Sequence, residues 1–305
     1  MNGVAERNRN GLVNCAATLS RILNLTDRLY LLLLAILSIG LLLRTNRVAS
    51  WSSWLIANLV LSLMVGVLAS QAERGPRWRF LHDWYPLAIF IVLFEEVAQL
   101  SFMFRNGWQD QYLLAFENRL FSVPPTVWLG RISSPILSEV LNVGYFSYFV
   151  LLIIVGGVFY ARGNRSAFRQ VMDASVIAYM ICYFFFLTFP TEGPAYTLAA
   201  EHAVGLRQGG PFYWMVAIIQ KYVGVHGNAF PSSHVAAGAV AVIFAWQYTP
   251  KLAAALTPLA FLLCAGAVYD RYHYVTDVLG GAAVAAVAVW IVRKREIRLG
   301  SLAPD

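Results

Sequence analysis

Residues 137–160 read LSEVLNVGYFSYFVLLIIVGGVFY, and Glu139 is their only charged residue. An α-helix rises 1.5 Å per residue, so about 20 residues cross the hydrocarbon core of a bilayer. A run this long and apolar cannot be one face of a soluble helix. It predicts a transmembrane helix, and the flanking sequence repeats the pattern. Comparable runs occupy 29–43, 48–70, 84–104, 174–189, 235–248, 252–269 and 274–292, which makes eight expected spans. The first is short, and Arg28 and Arg44 at its ends can extend their charged heads to the interface. The sixth is also short, with 229–249 as its expected full extent. The fold class is all-α, a polytopic membrane bundle of about eight transmembrane helices without a soluble domain.

Composition agrees. Of 305 residues 59% are hydrophobic and only 13% charged. The latter is about half the share of a soluble domain. Mean hydropathy is +0.60. A disordered chain, a collagen, a coiled coil and a disulfide-stapled miniprotein are excluded. The net charge of +7 would suit a nucleic-acid partner. The basic residues instead form short clusters between apolar runs, the pattern of cytoplasmic loops, so no nucleic acid is expected. Cys15, Cys182 and Cys264 offer neither a disulfide framework nor metal-ligand spacing. The first apolar run begins too late for a cleaved signal peptide.

Eight spans place both termini on one face of the membrane. That face carries nearly twice as many basic loop residues as the other, led by Arg162, Arg165, Arg169 and Arg293–Lys294–Arg295. It should be cytoplasmic. The loops 105–136 and 190–228 then face outward. The first, with Trp108, Pro124, Pro125 and Trp128, should lie along the interface as one or two short helices. The second is glycine-rich. Short loops suit a bacterial plasma membrane.

Three polar clusters fall at outward helix ends: FPTEGPAY at 189–196, GNAFPSSH at 227–234 and YDRYHYVTD at 269–277. In the second, Pro231 suits a first helical turn and a nearby hydroxyl its cap. The amides of such a turn have no helical partner and point outward with the positive end of the helix dipole, a seat for phosphate. Ser232 and Ser233 add hydroxyls, and His234 lies within reach. In the third, His273 and Asp277 are four apart and would share a helix face. A carboxylate fixes the imidazole tautomer and stabilises its cation, which frees the other ring nitrogen as nucleophile or base. Arg271 offers a planar fork of donors for phosphate oxygens. Each element alone has a structural reading. Together they make a phosphoryl-transfer site with neither metal nor cofactor.

The segments PSSH at 231–234 and HYVTD at 273–277 resemble the second and third signature motifs of the type 2 phosphatidic acid phosphatase superfamily. The resemblance implies a six-helix core over 84–292. Two added helices (28–83), an amino-terminal cytoplasmic segment (1–27) and a tail (293–305) complete the chain. It implies His273 as the nucleophile that takes the phosphoryl group and Asp277 as its orienting carboxylate. His234 would be the acid that protonates the leaving oxygen. Ser232, with amides near Ser233 and His234, would hold phosphate. Two features depart from the lipid phosphatases. No Lys…Arg-Pro motif precedes PSSH, and Ala267 stands where they carry arginine six residues before the nucleophile; Arg271 is the candidate replacement. The FPTEGP segment and the RYHY variant look more like the inositol phosphorylceramide synthase branch, which moves a phosphoryl head group between lipids. The expected partners are a phospholipid or polyprenyl-type lipid phosphate and, for a transferase, a hydroxyl-bearing lipid or sugar acceptor; with water as the acceptor the same site would be a lipid phosphate phosphatase.

Glu95 and Glu96, beside Gln99, lie mid-span, where charge is costly and usually faces a cavity or partner. Glu95 and Tyr196 are candidate head-group contacts. Glu139 and Asn142 raise the same question. Arg207 and Lys221 read as solvated loop charge, His226 as a bystander, and Asp270 as a partner or orienter of Arg271. Two readings compete with the enzyme. A transporter or channel of equal helix count would use Glu95 and Glu96 for coupling, although no repeat supports it. An inactive scaffold would keep the bundle without the chemistry.

Overall fold

The computed structural model describes residues 22–202 and 205–300. The readings made for 1–21 and 301–305 lie outside the described residues. The chain divides into two compact units, one ending at Ile91 and the other starting at Val92.

The first unit holds α1 (Leu25–Leu43), α2 (Trp51–Gln71) and the first part of α3 (Pro76–Gln99). Asn24 opens α1 through a reciprocal cap: its Oδ1 accepts from Asp27 N (2.9 Å) and its own N donates to Asp27 Oδ2 (2.8 Å). Asp27 is fully buried, which a carboxylate tolerates only when its lone pairs are filled. Tyr85 donates to it at 2.6 Å and His82 Nε2 lies 3.1 Å away. This cluster, which the sequence reading missed, ties α1 to α3.

The second unit continues with α4 (Asp110–Leu120), α5 (Pro125–Arg131), α6 (Pro135–Ala161), α7 (Arg165–Thr188), α8 (Pro194–Thr197), α9 (Pro211–Val223), α10 (Ser233–Tyr248), α11 (Pro250–Tyr269) and α12 (Val275–Arg298). No strand occurs among the described residues. Local chemistry sets the ends. Ser134 caps α6 ahead of Pro135, and Asn164 caps α7. Gly163, at φ +72°, closes the turn between them.

All eight expected helices form. Six of them, α1, α2, α6, α7, α11 and α12, are the candidates, among the described residues, long and apolar enough to cross a membrane. The other two fall short for separate reasons. α10 has only 16 residues, and α3 carries Arg77, Arg79, Asp83, Glu95 and Glu96. The sixth span starts at Ser233 rather than 229, because Ser232 is its N-cap and Pro231 lies outside the helix. The loop 105–136 holds two short helices, as its pattern predicts. The loop 190–228 holds α8 and α9, and α9 is capped by Glu139, whose carboxylate accepts from Phe212 N and Tyr213 N (3.0 and 3.2 Å).

Within this unit α6 packs against α7, α9, α10 and α11, while α10 also meets α7, α11 and α12. Small residues permit close crossings, as in membrane bundles. A Cβ on Gly144 would lie 2.3 Å from Leu262, and one on Gly266 would lie 2.5 Å from the Leu141 carbonyl. The outward faces are apolar, with Ile153, Phe184, Phe261, Leu279 and Trp290 exposed, the arrangement for a lipid surround. The starts of α6, α10 and α12 and the ends of α7 and α11 meet at one end of the bundle. At the other end, Arg293 binds Gln247, Arg295 pairs with Asp173, and Tyr248 binds Gln170.

Candidate active site

Two motif segments are joined by backbone. Ser232 N donates to the Asp277 carbonyl at 2.9 Å, so the start of α10 lies against the first turn of α12. Gly281 permits this, since a Cβ there would sit 2.4 Å from the Ser232 carbonyl. The imidazoles of His234 and His273 then face each other with ring centroids 5.6 Å apart.

His273 is buried, with 3% of its surface exposed. It was expected to share a helix face with Asp277. Instead α12 starts at Val275, and His273 precedes its N-cap, Tyr274. The pairing survives by another route. Asp277 Oδ2 lies 3.4 Å from His273 Nδ1 and accepts from Tyr274 N at 2.8 Å, so the carboxylate folds back over the helix start. Nδ1 is also 3.0 Å from the Ala229 carbonyl. A carbonyl only accepts, so Nδ1 carries the proton and Nε2 keeps the lone pair of the neutral ring.

His234 is the second residue of α10. Tyr145 stacks on it at 5.4 Å, Tyr148 tilts against it at 4.3 Å and Phe94 meets it edge-on at 6.1 Å. These walls fix the plane of the ring, and none of the three was foreseen. Its Nδ1 is buried without a partner among the described residues.

The first turn of α10 has no acidic residue. Ser232 Oγ accepts from Val235 N (3.3 Å), and the Ser232 carbonyl accepts from Ala236 N (3.0 Å). The amides of Ser233 and His234 precede the helical ladder. Ser233 Oγ is buried without a partner among the described residues. Of the two serines predicted to bind phosphate, Ser232 is engaged as a cap and Ser233 offers its hydroxyl.

These geometric features coincide with a family-level match. The family model described as PAP2 superfamily matches residues 111–291, more than half of the chain. The chain belongs to the PAP2 superfamily. No curated protein and no solved structure matches it. PAP2 membership and the six apolar helices fit a membrane enzyme of the lipid phosphatase or phosphotransferase type. Among the described residues no group of three or more His, Cys, Asp or Glu side chains is arranged to hold a metal ion.

The remaining predicted residues of this PAP2 chain are spread more widely. Arg271 sits on the turn before His273 with φ +66°. Burial, and next the Arg271 charge, push His202 down to about 4. Asp270 binds Asn142. Glu95 accepts from Gln99 one turn away, while Glu96 is fully buried. Tyr196 is exposed, its ring tilted against that of His226 at 4.1 Å, and His226 lies 3.0 Å from Glu192.

The sequence reading missed a brace. α4 carries two acids that hold the motif segments from outside. Asp110 accepts from Glu192 N and Gly193 N, both at 2.9 Å. Glu117 accepts from Thr276 N (2.9 Å) and Thr276 Oγ1 (3.2 Å) at the start of α12. Thr191 in turn accepts from Phe230 N at 2.8 Å, which fixes the strand of chain that presents the Ala229 carbonyl to His273. Their spacing of seven, two helical turns, was the available signal.

Proposed function

We propose that the chain is an integral membrane phosphoryl-transfer enzyme that acts on a lipid-linked phosphate through a phosphohistidine on His273. The 5.6 Å approach of the two imidazoles carries this reading. The tautomer assigned to His273 supports it. The Nε2 lone pair attacks phosphorus, the bond from phosphorus to the leaving alcohol breaks, and His234 gives its proton to the departing oxygen. In the second step an acceptor oxygen attacks, the P–N bond breaks, and His234 takes the acceptor's proton. Covalent capture divides one difficult displacement into two easier ones. Acid–base catalysis contributes roughly 10²–10⁴-fold. The Ser233 and His234 amides and the Ser233 hydroxyl would hold the phosphate oxygens as charge develops. Asp277 would stabilise the cationic ring.

The acceptor is a lipid or sugar hydroxyl, as in the inositol phosphorylceramide synthase-like branch. Ala267 supports this, because it occupies the position of a phosphatase arginine. It is fully buried, and its carbonyl accepts from Tyr272 N and His273 N. The transferred group enters from the extracytoplasmic side, with both termini in the cytoplasm. Arg165, Arg169, Arg293 and Arg295 at the opposite end of the bundle favour that orientation.

Incubation with phosphorus-labelled lipid followed by denaturation should leave acid-labile label on the parent and none on His273→Ala. Label and turnover should persist in excess chelator. Label retained by His273→Ala, or lost with chelator, would overturn the reading.

A further inference from the structure

Asp270 ends α11, where its amide donates to the Gly266 carbonyl at 2.8 Å. Its side chain is nearly closed to solvent, with 9% exposed. Oδ1 accepts from Asn142 Nδ2 at 3.1 Å. Oδ2 is buried without a partner among the described residues. A buried carboxyl oxygen with no donor is costly, so the position calls for a ligand. Burial pushes the group up to about 7, against the smaller opposing effect of Asn142.

Its place in the bundle says which part of a ligand would reach it. Asn142 and Tyr145 are three apart on α6, neighbours on one face. The Tyr145 ring lies 5.4 Å from His234 and 4.9 Å from Tyr272. α6 begins at the site end of the bundle, so Asn142 and Asp270 lie about one turn beyond Tyr145 toward that end. A phosphate held between the imidazoles would direct its head group there and its acyl chains the other way. A carboxyl would repel the phosphate itself. Nearby, Ser138 Oγ meets Tyr269 OH at 2.6 Å and Tyr272 flanks Tyr145, all neutral groups, while the next residue in the chain is the cation Arg271. Such a surround suits a neutral donor, a hydroxyl rather than an ammonium group.

We infer that Asp270, held by Asn142, is a specificity residue that accepts a hydrogen bond from a hydroxyl of the head group, so that the site selects polyol-bearing phosphates. The inference rests on the proposed phosphate site between His234 and His273.

Calorimetric titration of the full chain in detergent with inorganic phosphate, inositol 1-phosphate and phosphoethanolamine tests it. The parent should prefer the inositol ester to both other probes. Asp270→Leu should reduce that preference roughly 10- to 100-fold, and Asp270→Asn, whose amide oxygen still accepts, should reduce it less. Asn142→Leu, which loses only the holding bond, should fall between. A general loss of stability would weaken all three probes together and leave their ratios in place. Unchanged ratios in Asp270→Leu, or equal loss for phosphoethanolamine, overturn the inference alone. A parent that binds none of the three overturns it together with the proposed function.

Discussion

The starts of α10 and α12 lie side by side, joined by the Ser232–Asp277 backbone bond, yet they are finished in opposite ways. α12 is closed by two carboxylates, its own Asp277 and Glu117 from α4. Asp277 covers Tyr274 N, and Glu117 covers Thr276 N and its hydroxyl. α10 has one neutral cap, Ser232, and no acid in its first turn. Both helix dipoles present positive ends. Only that of α10 is left for an external anion, and the unpartnered Ser233 hydroxyl lies at the same place. One terminus is therefore closed by carboxylates beside His273, and the other is left open at the place where the proposed function seats a phosphate.

The largest effect should come from making the two ends alike. Ser233→Asp sets a carboxylate in the open turn, where it would take the anion's donors and repel phosphate. Vanadate inhibition should weaken on the order of 100-fold or more, with helicity retained by circular dichroism. Parent-like vanadate affinity in this variant would show that the α10 terminus is not the anion seat. A smaller effect should follow from separating the ends. In Gly281→Ala the new Cβ would meet the Ser232 carbonyl at 2.4 Å and Val235 Cβ at 3.1 Å, so α12 must move away from the α10 cap. Displacement near 1 Å can cost about 100-fold in turnover. Gly66→Ala, whose Cβ would have nothing within 4 Å, is the control and should match the parent. Equal turnover in the two variants would show that the close crossing does not set the catalytic geometry.

The apolar runs made the bundle legible, because a membrane span writes its length directly into hydropathy. They failed where helix length and charge depart from that rule, at α10 and α3. The motifs made His234, His273 and Asp277 legible as a group, since their residue types and local spacing match the family's signatures. The ring walls Tyr145, Tyr148 and Phe94 were not, because an aromatic residue in an apolar helix gives no sign of which face it takes. Nor could the first reading of His273 and Asp277 as helical neighbours succeed. The residue pair is right, but the contact comes from a side chain folded back over the N-cap. Asp110 and Glu117 drew no reading from the sequence, because only tertiary packing gives them their partners.

The smallest effect tests how the closed terminus is held. Glu117 is buried, with 1% of its surface exposed. Burial raises its carboxyl above the usual 4.5, with the bonds from Thr276 opposing but weaker. The folded state therefore binds a proton more tightly than the unfolded state. Between 4.5 and the raised folded value the folded chain holds more protons, and stability falls as pH rises through that window. Glu117→Gln keeps an acceptor for Thr276 and cannot ionise. Its thermal midpoint should match the parent's below the window and equal or exceed it above. Glu117→Ala leaves the Thr276 amide without its acceptor at every pH and should be less stable by about 1 kcal/mol throughout. A glutamine variant that loses stability relative to the parent as pH rises would mean that the charged cap outweighs its burial. The α12 terminus would then be held by an anion in the same sense that α10 is proposed to hold one.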